Sequence, residues 1–318
     1  MTREHLTQEH MIPEHTYDIL VAGEINPDLI LSGNVTPKFG QVEQLVDSAD
    51  LTVGSSSAIF ACGAARLGLK VAIVGICGAD IFGRFMLDEL TKAGVDVSGV
   101  IIDPVQPNGL SVILTRPGGD RAILTHVGTI NRLRAEQVTR DLLQKTRHLH
   151  VASYFLQTAL QPGLPDLFSR AHALGLTTSL DTNWDPSGAW SGFGELLGQV
   201  DVFLPNQNEA LAISGASTLE SAAQILSRTC QTVSIKCGHE GALACRGDES
   251  ARAAALPVRV VDTVGAGDSF DAGFLYGWLN GWSLEKDLRL AAACGSLSTR
   301  LAGGTHAQPA LDEAMQYV

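Results

Sequence analysis

Residues 262–279 read DTVGAGDSFDAGFLYGWL, and this stretch decides how the rest of the chain is read. Gly265 and Gly267 let the backbone turn tightly and expose successive N–H groups. A helix expected over 267–280 adds the positive end of its dipole to them, which makes an anion hole out of main chain. Asp268 stands at the helix mouth, where its carboxylate can take a proton from an incoming hydroxyl. Phosphoryl transfer asks a protein for little more: a positioned nucleophile, donors around the moving charge and a cation to neutralise it. The plainer reading of the same residues is a glycine turn followed by a helix N-cap.

Working outward, apolar residues 256–261 lead into the stretch, and the rest of the chain alternates. Residues 17–23, 70–75, 148–152, 177–181, 200–205 and 232–236 are short apolar runs that read as buried strands. Helical patterns stand at 55–67, 82–93, 163–174, 207–214, 218–228, 284–300 and 310–316. Strands alternating with helices predict an α/β fold, a mostly parallel central sheet with helices on both faces. The pattern breaks at 111–126, SVILTRPGGDRAILTH, which is strand, turn and strand: a β-hairpin. With 33–53 it predicts a small β lid inserted near 33–53 and 108–128 in one α/β domain over 17–318. Residues 1–16 form a polar tail punctuated by His5, His10 and His15.

The chain has 318 residues and a formal net charge of −12. That length can bury a large core, and excess negative charge makes nucleic acid and anionic membranes poor partners. A small phosphate ligand is still allowed, because helix N-termini and a metal bind one locally. Cys62, Cys77, Cys230, Cys237, Cys245 and Cys294 form no C-x-x-C pair and no zinc spacing. They read as reduced core thiols. With no signal peptide and no apolar run of about 18 residues, the expected location is the cytoplasm.

Several segments together carry a resemblance. DTVGAGDSFDAGF resembles the C-terminal signature of the PfkB, or ribokinase-like, carbohydrate kinase family. Gly23-Glu-Ile-Asn26-Pro-Asp28 resembles its first strand and substrate-binding turn, and 54–68, ending AARLG, its N-terminal signature. Gly78-Ala-Asp80 with Phe82-Gly83 resembles its G-x-D-x-x-G segment, Asp181-Thr-Asn183-Trp its D-x-N-W element and Asn206-Gln-Asn-Glu209 its N-x-x-E motif. Lys236-Cys-Gly238 with Gly241 resembles its nucleotide-side glycine turn, and Gly303-Gly304 the late one. They run in family order from about residue 17 to 310.

The resemblance implies a ribokinase-like three-layer sandwich and an ATP-dependent sugar kinase. Asp268 would be the base, with the backbone of Gly265, Ala266 and Gly267 stabilising the transferred phosphoryl group. Asp28, Asn26, Gly54 and Ser55 would bind substrate. Lys236 and Gly238 would lie near the nucleotide. Asn206 and Glu209 would organise Mg²⁺ through water, and Asp262 would help hold a monovalent cation, K⁺. A homodimer through the β lid is the candidate assembly.

Two departures bear on the acceptor. Sugar-binding relatives often carry an Asn in the N-terminal signature where this chain has Ile59. Relatives with D-x-N-x-R carry an Arg, the natural carboxylate clamp, where this chain has Asp185. The expected acceptor is therefore a neutral sugar phosphorylated on a primary hydroxyl. The alternative on the same fold is a nucleoside kinase, with Ile59, Phe39 and Phe60 suiting an apolar base. A catalytically silent sugar- or nucleotide-binding sensor is a rival of another class, against which the intact Asp268 and glycines stand. The chain lacks G-x-x-x-x-G-K-[ST], H-R-D and D-F-G, and no G-x-G-x-x-G follows its first strand. These absences argue against P-loop kinases, protein kinases and dinucleotide oxidoreductases.

Overall fold

A computed structural model describes residues 15–117 and 120–318. The tail up to residue 14, and Gly118 and Gly119 of the hairpin turn, lie outside the described residues. In chain order the strands are β1 (Tyr17–Ala22), β2 (Pro27–Ser32), β3 (Ser48–Val53), β4 (Val71–Val74), β5 (Ile76–Gly78), β6 (Ile101–Asp103), β7 (Leu110–Thr115), β8 (Arg121–His126), β9 (Thr146–Val151), β10 (Thr177–Leu180), β11 (Val202–Phe203), β12 (Thr232–Lys236), β13 (Ala242–Arg246) and β14 (Glu249–Ala253). The helices are α1 (Ser56–Arg66), α2 (Ile81–Lys92), α3 (Arg140–Leu143), α4 (Leu164–Ala173), α5 (Gln207–Ser214), α6 (Leu219–Ser227), α7 (Ala266–Leu279), α8 (Leu284–Ser298) and α9 (Leu311–Ala314).

The central sheet has eight strands in the order β14-β13-β12-β11-β10-β9-β1-β4. It is parallel from β4 to β12 and antiparallel through β13 and β14. Its strands are apolar on both faces, and the two faces bury different cores. Ile19, Val21 and Ile73 point to a cluster that takes in Phe60 of α1, Phe274 of α7 and Leu290 of α8. Leu20, Ala22, Ala72 and Val74 point the other way, to Leu167 and Phe168 of α4. The larger of these side chains contribute roughly 1.5–3 kcal/mol each when fully buried, so a one-residue slip of β1 would exchange both faces at once. No helix among the described residues is long and apolar enough to cross a membrane.

The predicted alternation stands, with helix α5 at 207–214 and strand β12 at 232–236 as expected. The edge pair β13 and β14 gives no comparable signal, because its outer strand is exposed and polar in places. Residues 256–261 are apolar yet form no strand. Val260 and Val261 stay half exposed, and the segment is tied to helix α8 and its end where the Leu256 N–H reaches Ser296 Oγ and the N–H groups of residues 261 and 262 reach Thr299 O.

The β lid is a four-stranded sheet, β3-β2-β7-β8. It contains the predicted hairpin β7–β8 and also β2, which the sequence reads as a turn. Alternation gives the sheet two unlike faces. Asp28, Ser111 and Thr125 align across β2, β7 and β8, followed by Ile30, Ile113 and Ile123. On the opposite face lie Leu51, Leu29, Val112 and Leu124, then Ala49, Leu31, Leu114 and Ala122.

Candidate active site

The lid's inner face closes over the carboxyl ends of the parallel strands, where open α/β sheets bind their ligands. Between them is a cavity of about 230 Å³. The lid contributes Asp28, Ser111, Thr125, Ile113, Ile123 and Arg121 to it, and the body contributes Glu24, Ser55, Ser56, Ile59, Ser153, Asn183, Gly265 and Asp268.

Asp28 is therefore a strand residue, facing inward from the register of β2. Burial, and then the neighbouring carboxylates Asp262 and Glu24, push its carboxyl up to about 7 against the pull of Arg121. Gly54 belongs to the same feature: a Cβ there would fall 2.2 Å from Asp28 Oδ1. Asn26 is buried beside them, its Nδ2 donating to Pro27 O at 3.4 Å. The Ser55 hydroxyl is spent on structure, donating to Glu24 O at 2.6 Å and accepting from Ala58 N at 3.1 Å.

The floor of the cavity carries residues for which no sequence role was expected. Glu24, just after β1, accepts from the hydroxyls of Ser57 and Ser153 at 2.7 Å each. Asn183 donates to Ser56 Oγ at 2.5 Å and to Ser153 Oγ at 2.9 Å. Ser55, Ser153 and Asn183 all have positive φ, 67°, 52° and 53°. Non-glycine residues in that region cost about 1–3 kcal/mol each and gather at functional sites. The signal that could have found Glu24 is a carboxylate directly after the apolar run Ile19–Ala22 and its Gly23 turn.

Helix α7 opens on Gly265, at φ 70°, without a side-chain cap. Helices α1, α2, α5, α6 and α8 all have one. The Ala266 N–H turns back to Thr263 O at 3.3 Å. Those of Gly265, Gly267 and Asp268 meet no acceptor among the described residues. The open donors at this helix start are thus the N–H groups of Gly265, Gly267 and Asp268, and that of Ala266, expected among them, is already paired. Asp268 is buried in the first turn, and burial and then Asp181 push its carboxyl up to about 8, opposed by the Lys236 ammonium and the Ser56 hydroxyl.

Lys236, expected near the nucleotide, lies beneath this turn. Its Nζ donates to Asp181 at 3.0 Å and Asp271 at 2.9 Å, both carboxylates fully buried. Asp181, Asp268 and Asp271 bring carboxylate oxygens within 4.8 Å of one another. Asn206 and Glu209 form a capping box at the start of α5: Glu209 Oε2 accepts from Asn206 N at 2.8 Å and Asn206 Oδ1 from Glu209 N at 3.0 Å. Burial and then Asp181 push Glu209 up to about 7. Asp262 ties two loops, accepting from Val264 N and Gly303 N at 3.0 Å each, with Arg121 Nη1 at 3.9 Å. Gly238 begins the turn after β12 at φ 57°.

One expectation about the acceptor changes. Phe60 is core, stacked on His150 with ring centroids 3.8 Å apart, and Phe39 is 97% exposed on a loop. Of the three residues expected to suit an apolar base, only Ile59 lines the cavity. Asp185 spends its carboxylate on its own loop, accepting from Ser187 N at 2.8 Å and Trp190 N at 2.7 Å.

Residues 18–311 match the family model described as pfkB family carbohydrate kinase. The chain is 30% identical to the 2-dehydro-3-deoxygluconokinase of Bacillus subtilis over 88% of this chain and 90% of that one. It is 29% identical to the ATP-dependent ribose-1-phosphate kinase of Halopiger xanaduensis over 92% and 95%. In fold it superposes on Arabidopsis thaliana ribokinase, solved with ribose and ATP, with a TM-score of 0.83 at 23% identity, covering 95% of this chain and 98% of that one.

Proposed function

The chain belongs to the pfkB family of carbohydrate kinases, and from that premise we propose that it moves the γ-phosphoryl group of ATP to a primary hydroxyl of a neutral sugar. The observation that carries this reading is the mouth of α7. There, Gly265 and Asp268, whose N–H groups have no acceptor among the described residues, line a cavity whose lid wall presents Asp28. The acceptor hydroxyl gives its proton to Asp268 as its oxygen attacks the γ-phosphorus, and the bond to the bridging oxygen breaks to release ADP. Charge on the transferring oxygens falls on the Gly267 and Asp268 N–H groups and the helix dipole. Asp28 accepts hydrogen bonds from the acceptor's other hydroxyls, with Asn26, Gly54 and Ser55 shaping that wall.

ATP is proposed to arrive with Mg²⁺. Asn206 and Glu209 offer only oxygen donors, which suit a hard cation that keeps part of its water. Glu209, crowded by Asp181, is a carboxyl that a nearby cation would relieve. Bound there, the ion would neutralise charge between the phosphates. K⁺ is assigned to the loop pair tied by Asp262, the nucleotide to the turn at Gly238, and a second copy of the chain to the outer face of the lid.

The Bacillus relative's name points to an acidic sugar, and Arg121 is the cation on the cavity wall. Against an acid stand Glu24, Asp28 and Asp268, which line the same cavity. The aliphatic row Ile113 and Ile123, with Ile59, favours a second reading, a nucleoside whose base packs on it. A coupled ADP-release screen over pentoses, hexoses, a sugar acid and nucleosides, with wild type and Asp28→Ala, separates these. A neutral sugar is expected to give the highest kcat/KM, and Asp28→Ala to lose about 1.5–3 kcal/mol of transition-state binding on it. A preference for the acid or the nucleoside overturns the acceptor assignment, and no turnover with any acceptor overturns the catalytic reading.

A further inference from the structure

We infer that Lys236 is a positioning residue for phosphoryl transfer: clamped between Asp181 and Asp271 against Gly267, it favours the ionised form of the Asp268 carboxyl and props the turn that receives the phosphoryl group. The inference rests on the assignment of Asp268 as base.

The geometry is specific. Lys236 is the last residue of β12, Asp181 follows β10, and Asp271 stands one helical turn after the base on α7. An ammonium at 3.0 and 2.9 Å from two fully buried carboxylates has no freedom to follow a ligand. Its aliphatic stem runs under the anion hole: a Cβ on Gly267 would lie 3.6 Å from Lys236 Cδ and 3.7 Å from Nζ. The same side chain therefore supports the turn and supplies positive charge behind it.

Charge bookkeeping favours that role. Asp181, Asp271 and Asp268 crowd within 4.8 Å, and Glu209 faces Lys236 from α5. His150 faces it from β9 and is neutral, its burial lowering it to about 3. Glu24 faces Asp268 from the cavity side. Lys236 is the one cation opposing this group among the described residues that act on Asp268. Burial raises Asp181, but the Lys236 charge together with hydrogen bonds from Asp271, Lys236 and the Asn183 N–H holds that carboxyl low, whereas burial pushes Asp271 well up. Without Lys236, Asp181 would stand uncompensated beside the base and oppose its ionisation.

The test reads Asp268 directly, without turnover. In protein labelled with ¹³C at aspartate carboxyls, the Asp268 resonance is the one lost in Asp268→Asn, and its titration is followed in Lys236→Met, Lys236→Gln and Lys236→Arg. Gln is included because it is neutral yet still donates to Asp181 and Asp271, so a folded neutral variant is available if Met leaves the carboxylates too exposed to each other. Both neutral variants are expected to move the Asp268 midpoint upward by about one pH unit or more. Lys236→Arg is expected to stay near wild type. In the ADP-release assay the acid limb of kcat/KM should move with the resonance, with kcat falling more than nucleotide affinity. An unmoved midpoint in a folded neutral variant, or an Arg variant displaced as far as Gln, overturns the inference. Failure of wild type to turn over would strike the kinase reading instead and leave the carboxyl titration standing.

Discussion

A carboxyl group titrates near pH 4 in water, where it is a weak base for a neutral hydroxyl. Asp268 has been moved toward working pH by burial and by Asp181, to about 8. The raised value has a consequence for stability as well as for catalysis. A carboxyl whose folded pKa lies above its unfolded one binds its proton more tightly when folded. Its contribution is fully present below pH ~4 and is lost as pH rises through about 8. Asp268→Asn carries no such charge, so it should melt higher than wild type at pH 8.5, by about 1–2 kcal/mol of stability, with the gap closing toward pH 5. The same variant should lose about 10²–10⁴-fold in kcat. Thermal melts across pH alongside kcat check both, and a gap that widens toward acid would contradict the assignment. At Asp262 the expected outcome is a rate raised by KCl and not by choline chloride, and lost in Asp262→Ala. A flat KCl response would leave Asp262 as a structural tie between residues 264 and 303. Short motifs drew attention to Asp268, Asp28, Asn26 and Gly54. Glu24 and Asp271 lie in the same motifs and Ser153 in none, but no role could be read for them, because their contacts arise only when β1, β9 and α7 meet.

At the scale of the element, the decisive feature is a helix that begins without a cap. Gly265 provides the left-handed residue that starts α7, and a side chain there has no room: its Cβ would come 2.8 Å from Ile59 Cγ2 and from Gly304 Cα. Gly265→Ala is expected to lose more than about 100-fold in kcat, in the range of a removed oxyanion-type donor, and to destabilise by about 1–3 kcal/mol. Gly281 is the control at the far end of the same helix. Its φ is 69°, yet nothing lies within 4 Å of an added Cβ. Gly281→Ala should therefore bear the backbone strain alone and keep kcat. Equal loss of activity in both would mean that strain, not the anion hole, was being measured. The helices and buried parallel strands were legible because their periods are strong. Strand β2 was not: Pro27 and Asp28 signal a turn, and only pairing with β3 and β7 makes those residues a strand. The segment 256–261, apolar but for Arg259, has no partner strand to hydrogen-bond it and forms none.

At the scale of the whole molecule, the lid has one face too many. Its inner face closes the cavity, while its outer face sets Leu51, Leu29, Val112 and Leu124 in one row and Ala49, Leu31, Leu114 and Ala122 in the next. No charged residue interrupts either row, and Leu51 and Leu124 are 39% and 61% exposed. A net charge of −12 would drive two copies apart, so copies that pair must do so through an uncharged patch, and a flat aliphatic sheet face can oppose itself about a two-fold axis. The proposed homodimer follows from that conjunction, and it has a salt signature. Screening weakens the long-range repulsion while apolar contact persists, so dimerisation should tighten between low and physiological ionic strength, opposite to an interface built on salt bridges. Sedimentation velocity of wild type and Leu124→Asp provides the measurement. Wild type is expected as a dimer whose dissociation constant falls with NaCl, and Leu124→Asp as a monomer at every salt concentration. Because β2 and β8 carry Asp28 and Arg121 on their inner side, the monomeric variant should also show a raised acceptor KM with kcat little changed. A monomeric wild type, or a dimer indifferent to Leu124→Asp, would leave the outer face of the lid without a partner of this kind.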